Sequence, residues 1–255
     1  MKRRDDHTSM GGNQHAFDST HWSLIRQLDC PDKNQRDEAA NKIFVQYWKP
    51  VYCYLRRKGY SNDQAKDMTQ GFFCDVFIHR QLAQRVRQNQ GRFRIYLLKA
   101  LDRYVIDWHH KETAGKRSPK KGVLLDLDLS EIGDLPDEGL EQTPERAFQS
   151  VWASGILHQV LGNLKKAASE DGLSVHWNVF YAKVVEPILN ESESPSLVEL
   201  CSLYGVQNET IASNMIVTMK RKFQAQMRQC IRQYVDSEPE VDQEIGEIFQ
   251  ILSKG

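Results

Sequence analysis

Apolar residues recur at helical spacing along most of this chain, and no segment shows the strong alternation of a half-buried strand. In residues 37–58, for example, Ile43, Tyr47, Val51 and Leu55 follow one another at intervals of four and form a wide apolar stripe. The same spacing predicts helices over 37–58, from 61 onward, over 92–112, 144–168 and 175–189, and then a short and a long helix between 194 and 233. We therefore predict an all-α fold.

Local signals fix several helix boundaries. Ser61 and Gln64 form an S-x-x-Q capping box at the start of the second helix. Thr143 followed by Pro144 gives the later helix an N-cap and a proline at its first position. Gly59 is a suitable stop for the first helix, and Pro50 inside that helix is expected to kink it or to split it in two.

Changes in composition divide the chain into four parts. Residues 1–18 are polar, and we predict that they are disordered. Residues 19–116 and 144–252 form two helical domains in this interpretation. Between them, residues 117–143 contain proline, glycine and many acidic residues, which is typical of a flexible linker.

The segment 194–233 has the outline of a helix-turn-helix. A short apolar helix follows Ser196, Gly205 supplies a residue that tolerates positive φ for the turn, and a long basic helix comes next. Asn214 stands where a helix-turn-helix usually has a buried aliphatic residue, so the sequence leaves the register of the long helix open. In such motifs the second helix enters the major groove of DNA.

The charged residues are unevenly distributed along the chain, although the overall net charge is zero. The whole sequence has 34 basic and 34 acidic residues, but residues 85–121 carry a net charge of +8 and residues 122–145 carry −8. Residues 210–234 carry +5, and the tail 235–250 carries −6. Basic blocks of this density favour phosphate as a ligand, although charge runs often form only a solvated face. One hypothesis is that the acidic tail folds back on the basic helix and masks it.

Several function classes lack any support in the sequence. No run approaches the roughly 20 apolar residues of a membrane span, and no apolar segment follows the basic N-terminal residues as in a signal peptide. The five cysteines are far apart, which is typical of reduced thiols, and nothing indicates a zinc site. Phosphate-binding glycine loops and hydrolase motifs are missing. We predict a cytoplasmic protein that is not an enzyme and has no cofactor, no metal and no membrane partner.

The residues also resemble a known family. The opening Ser19–Leu24, the run Tyr47–Tyr60, the segment Asp67–Phe73 with its D-x-T-Q-x-F-F pattern, the run Gly91–Leu101 and Thr143–Arg146 occur in the order and spacing of one subgroup of bacterial sigma factors. On these motifs the chain resembles extracytoplasmic-function sigma factors of the planctomycete type over nearly its whole length after Ser19. The resemblance implies a region 2-like domain over 19–116 and a region 4-like domain over 144–252.

The resemblance implies two roles for the first domain. Asp63, Asp67 and Gln70 would bind the clamp helices of the largest subunit of core RNA polymerase. The third helix would bind and melt the −10 element of promoter DNA, for which cations must neutralise phosphate and aromatic side chains must stack on bases. The residues implied for this second role are Arg92, Arg94, Tyr96, Lys99, Arg103 and Lys111.

In the second domain the recognition helix would read the −35 element. Residues near the start of such a helix usually reach base edges, which favours Glu209, Thr210, Ser213 and Asn214. Lys220, Arg221 and Lys222 would contact phosphate. The resemblance also allows for an anti-sigma protein as a further partner, and the sequence leaves that open.

Three alternatives stay open beside the sigma factor. The chain is also compatible with a helix-turn-helix regulator that does not engage polymerase. A helical protein that occupies polymerase without reading DNA is the second alternative. The third is a hydrolase without a recognisable motif.

Overall fold

The computed structural model describes residues 24, 27–28, 30–78, 92–113, 143–235 and 237–253, without the side chains of 76–78 and 111–113. The fold of these residues is all-α, as predicted, and they contain no strand. The predicted N-terminal segment 1–18 and the linker up to residue 142 lie outside the described residues. The helices are α1 Lys33–Arg57, α2 Asn62–Ile78, α3 Phe93–Thr113, α4 Pro144–Glu170, α5 Ser174–Phe180, α6 Glu186–Leu189, α7 Leu197–Tyr204, α8 Glu209–Ile231 and α9 Glu238–Leu252.

The local start and stop signals are confirmed. At α2 the Gln64 amide donates to the Ser61 hydroxyl at 3.2 Å, and the Ser61 amide donates to the Gln64 side chain at 3.0 Å. Thr143 caps α4 by accepting from the Arg146 amide at 3.2 Å. Gly59 has a φ of 95°, a left-handed conformation that other residues disfavour, and it follows the end of α1.

Pro50 does not split α1, which runs as one helix from Lys33 to Arg57. Of the two outcomes that the sequence left open for this proline, the split is therefore wrong. The residues around it, Tyr47, Val51 and Tyr54, are fully buried. Their packing offsets the roughly 3 kcal/mol that an internal proline costs a helix.

A first hydrophobic cluster joins helices from both predicted domains. It combines buried residues of α1, α2 and α3 with residues of the first half of α4, the end of α8 and α9. Tyr47 of α1 stacks on Phe148 of α4 with ring centroids 6.5 Å apart, and Trp152 meets Tyr234 edge-on at 5.8 Å. The two halves of the chain therefore share one core in this structure.

A second cluster lies entirely in the later half of the chain. It is formed by the second half of α4, by α5 and the turn after it, and by α7 and the first half of α8. Leu164, Trp177, Phe180, Ala212 and Met219 are among its buried members. This cluster is the base on which the helix-turn-helix rests.

The predicted helix 175–189 is interrupted by a π-helical turn over Tyr181–Val185. Pro187 has no amide hydrogen to bond the carbonyl of Lys183, which an uninterrupted α-helix would require. The Ser194 hydroxyl donates to that carbonyl at 2.9 Å instead, and the Lys183 ammonium donates to the carbonyl of Pro195 at 2.5 Å. These bonds hold the segment that leads into α7.

The helix α9 is the element that the sequence analysis did not predict. Ser237 precedes it as N-cap, Pro239 lies in its first turn, and Val241 and Ile248 are buried at intervals that suit a helix. These start and period signals are present in the sequence, so the acidic composition of the tail obscured a helix that local rules predict.

Gly71→Ala is expected to destabilise the fold, because a Cβ there would lie 2.4 Å from the Tyr104 hydroxyl oxygen. Overpacking of this kind costs about 1–3 kcal/mol, whereas alanine gains only about 1 kcal/mol over glycine in a helix. In a Tyr104→Phe background the next ring atom is 3.6 Å away, so the same substitution should stabilise. Urea denaturation of the unsubstituted protein, the two single variants and the double variant gives the sign of each change in the free energy of unfolding. An equal loss from Gly71→Ala in both backgrounds would contradict the contact.

Candidate nucleic-acid and polymerase interfaces

The helix-turn-helix is built as the sequence predicts. Ser196 and Glu199 form a capping box at the start of α7, in which the Ser196 amide donates to the Glu199 carboxylate at 2.7 Å. These bonds lower the pKa of Glu199. Gly205 ends α7 in the left-handed conformation with a φ of 67°, and the Asn208 side chain caps α8 by accepting from the Ile211 amide at 3.0 Å. The start of α7, its end and the start of α8 are thus each fixed by one local device.

Burial settles the register of α8. Ala212, Ile216 and Met219 point into the second cluster, whereas Asn214 is exposed. Residues three or four positions apart lie on the same side of a helix. The exposed side is therefore continuous, and we call it the recognition face: Glu209, Thr210, Ser213, Asn214, Lys220 and Arg221.

Lys222 does not belong to the recognition face. Its ammonium donates to the Asp171 carboxylate at 2.8 Å, and both side chains are about half exposed. Asp171 is the residue that ends α4. This pairing, which fastens α8 to the end of α4, disfavours the phosphate contact of Lys222, which stays a prediction.

The third helix keeps only part of its predicted DNA-binding set on the surface. Lys99 and Arg103 are exposed one turn apart on α3, with exposed Ile95 and Ile106 on the same side of the helix. Tyr96 is partly buried and packs against the first cluster. The side chain of Lys111 lies outside the described residues.

Arg94 is not on the surface, contrary to its predicted role. Its side chain is 4% exposed, and its guanidinium lies 4.8 Å from the ring centre of Trp152. The Arg94 Nε donates to the Glu244 carboxylate at 2.7 Å, and its Nη2 donates to Glu247 at 2.7 Å. In this conformation a phosphate cannot reach Arg94, because two carboxylates of α9 already occupy its donors.

Arg92 is held by the same carboxylates. Its Nε lies 2.8 Å from Glu244, and its Nη1 contacts Glu247. We call Arg92, Arg94, Glu244 and Glu247 the arginine cluster. Arg92 is 16% exposed and Glu244 is 1% exposed, so most of the cluster is shielded from solvent.

The electrostatics of the cluster favour its charged form. Burial alone would lower the pKa of Arg94, but the bonds to Glu244 and Glu247 outweigh burial and raise it. Burial likewise raises the pKa of Glu247, and the bonds and charges of Arg92 and Arg94 outweigh it, so the net pKa is lowered. Sequence analysis missed Glu244 and Glu247, because their partners are about 150 residues away.

The three residues with a predicted polymerase role lie on one side of α2. Asp63 and Asp67 are exposed and Gln70 is partly exposed, opposite the buried Ala65, Met68 and Phe72. We call Asp63, Asp67 and Gln70 the acidic ridge. Its end lies beside α3, since Tyr104 packs on Gly71, and burial together with the charges of Asp75 and Asp67 raises the pKa of Tyr104.

The geometry combines an exposed acidic ridge, two exposed cations on α3 and a recognition face on α8. None of the described helices combines enough length with enough apolar residues to cross a membrane. No protein-family model matches this sequence, and neither a curated protein nor a solved structure shows significant similarity to it.

Proposed function

We propose that this chain is a cytoplasmic sigma factor that binds core RNA polymerase and directs it to promoters. The observation that supports this proposal best is the recognition face, a continuous exposed side of a capped second helix in a helix-turn-helix. In this proposal the 144–252 domain reads the −35 element, the 19–116 domain binds polymerase and the −10 element, and the acidic linker 117–143 joins them.

The direct experiment is in-vitro transcription with core polymerase across a promoter library. The proposal expects transcripts from a subset of promoters that depend on this chain. A complete lack of chain-dependent transcripts would overturn it. The chain is not an enzyme in this proposal, so the polymerase supplies all of the chemistry.

The acidic ridge provides a test of the polymerase contact. Asp63→Asn with Asp67→Asn should abolish capture of core polymerase and leave DNA affinity unchanged. Glu38→Gln with Glu170→Gln is the matched control, because it removes the same charge from two exposed positions on other helices. Equal capture of both variants would contradict a role for the ridge.

The recognition face predicts two different effects on DNA binding. Lys220→Ala or Arg221→Ala should weaken binding at all promoters and reduce the salt slope by about one, as loss of a phosphate contact does. Asn214→Ala should change sequence preference, by about 1–3 kcal/mol at the base it contacts. Affinity measured against promoter variants at several salt concentrations gives both quantities.

Lys222→Ala is the control within the same basic run. Because Lys222 is paired with Asp171, its removal should leave the salt slope nearly unchanged. A loss as large as that of Lys220→Ala would contradict the assignment of the two side chains, and so would a uniform loss from Asn214→Ala.

A second candidate function has one observation in its favour. The burial of Arg94 removes a predicted −10 contact, and a helix-turn-helix regulator that leaves polymerase alone needs only the recognition face. Capture with core polymerase separates the two candidates. A regulator would bind promoter DNA and fail to retain polymerase.

A further inference from the structure

The helix α9 presents carboxylates where the basic start of α3 would meet an anion. Glu244 accepts from the Arg94 Nε at 2.7 Å and from its Nη2 at 3.1 Å, which is a bidentate pair. Arginine makes the same two parallel bonds to phosphate. The carboxylate of Glu244 therefore stands in the position that a phosphodiester oxygen pair would take.

Apart from the arginine cluster, apolar packing and surface ion pairs hold α9 to its neighbours. Val241 and Ile248 are buried, and Ile245, Ile251 and Leu252 pack partly buried against the first cluster. On the other side of the helix, Arg228 pairs with Asp242, and Arg232 Nε lies 2.7 Å from Glu238. These pairs are one-third or more exposed, so salt and competing anions screen them.

Displacement of α9 would uncover a binding surface and not only a charge. Arg94 lies over the ring of Trp152, and Arg92 shares the same carboxylates, so both guanidinium groups would become available together. A guanidinium beside an aromatic ring is a combination that suits single-stranded nucleic acid, in which phosphates and base faces are both available.

We propose that α9 is an autoinhibitory helix whose Glu244 and Glu247 occupy Arg92 and Arg94, and that a single-stranded nucleic acid displaces it to bind both arginines. The identification of this ligand with melted promoter DNA rests on the proposed function. The displacement itself does not, because it depends only on the arginine cluster.

The test uses the full chain and a single-stranded DNA oligonucleotide. Amide hydrogen exchange should become faster in α9 when the oligonucleotide binds, and exchange in α7 should stay unchanged. Glu244→Gln should raise affinity for the oligonucleotide roughly five- to tenfold, at the low end of the range typical of coupled binding equilibria. The gain should disappear when Arg94→Gln is added, because the uncovered donor is then gone.

Two further variants keep the outcome decisive. Glu193→Gln makes the same change in net charge at an exposed position in the segment before α7, and it should leave affinity nearly unchanged. Glu247→Gln, at a side chain that is 34% exposed, should give a smaller gain of the same sign even where Glu244→Gln disturbs folding. The proposal is overturned if α9 exchange ignores the oligonucleotide, or if Glu193→Gln raises affinity as much as either cluster variant.

Failure of the sigma-factor proposal is separable from failure of this inference. A chain that releases α9 on binding the oligonucleotide but supports no transcription would retain the autoinhibitory helix and lose the promoter role. A chain that supports transcription with α9 fully protected would retain the promoter role and lose the autoinhibitory helix.

Discussion

Glu244→Leu is expected to lower the free energy of unfolding by about 3 kcal/mol, the loss typical of a buried ion pair that keeps only one partner. The Arg94 side chain is 4% exposed and pairs with two carboxylates, so loss of Glu244 leaves Glu247 as its one partner in the arginine cluster. Water cannot compensate a cation at that depth. Urea or thermal denaturation of the purified chain measures the loss.

The double variant Arg94→Met with Glu244→Leu separates charge from packing. Two apolar side chains of similar volume remove both buried charges and leave Arg92 paired with Glu247, so most of the stability should return. Glu38→Gln is the surface control, since its pair with Lys42 is more than half exposed and should contribute less than about 1 kcal/mol. A double variant that loses the sum of the two single losses would contradict the ion pair.

Trp152→Ala is expected to cost about 3–5 kcal/mol, because it removes the largest fully buried side chain of the described residues. Its effect should also extend to the first half of the chain. Trp152 belongs to α4, but the cluster around it contains residues of α1, α2 and α3. Amide exchange should therefore become faster in α1 as well as in α4.

The matched control for this variant is Val45→Ala on α1. Val45 is 63% exposed, so its truncation should change stability by less than about 0.5 kcal/mol. Protection of α1 that stays unchanged in Trp152→Ala would show that the two predicted domains fold independently. In that case the shared cluster would contribute little to the stability of the first half.

The parts of the fold that depend on neighbours in sequence were predictable. The capping pairs at Ser61 and Ser196, the proline at the start of α4 and the turn at Gly205 all act within a few residues. Their geometry follows from bonds between a side chain and a nearby backbone amide. The exposed position of Asp63 and Asp67 also follows from the helical period alone.

The parts that depend on distant segments were not predictable. The sequence analysis assigned Arg94 to a free side of α3, although the buried Leu101 and Val105 lie seven and eleven positions after it and share its side of the helix. The structure buries it with Glu244, and the helical period separates Arg94 from the exposed Arg103, but the partner could not be predicted because it lies 150 residues away. Lys220 and Lys222 project from different sides of α8 by the helical period, but the pairing of Lys222 with Asp171 depends on the end of another helix and could not be predicted.

For this protein, the sequence by itself determined the helices, their caps and the polar sides of α2 and α8, because these follow from local hydrogen bonds and the 3.6-residue period. Only the tertiary structure decided which cations remain available to a ligand. That choice depends on where the carboxylates of α9 and Asp171 come to lie, because an ion pair between distant segments follows from no local rule.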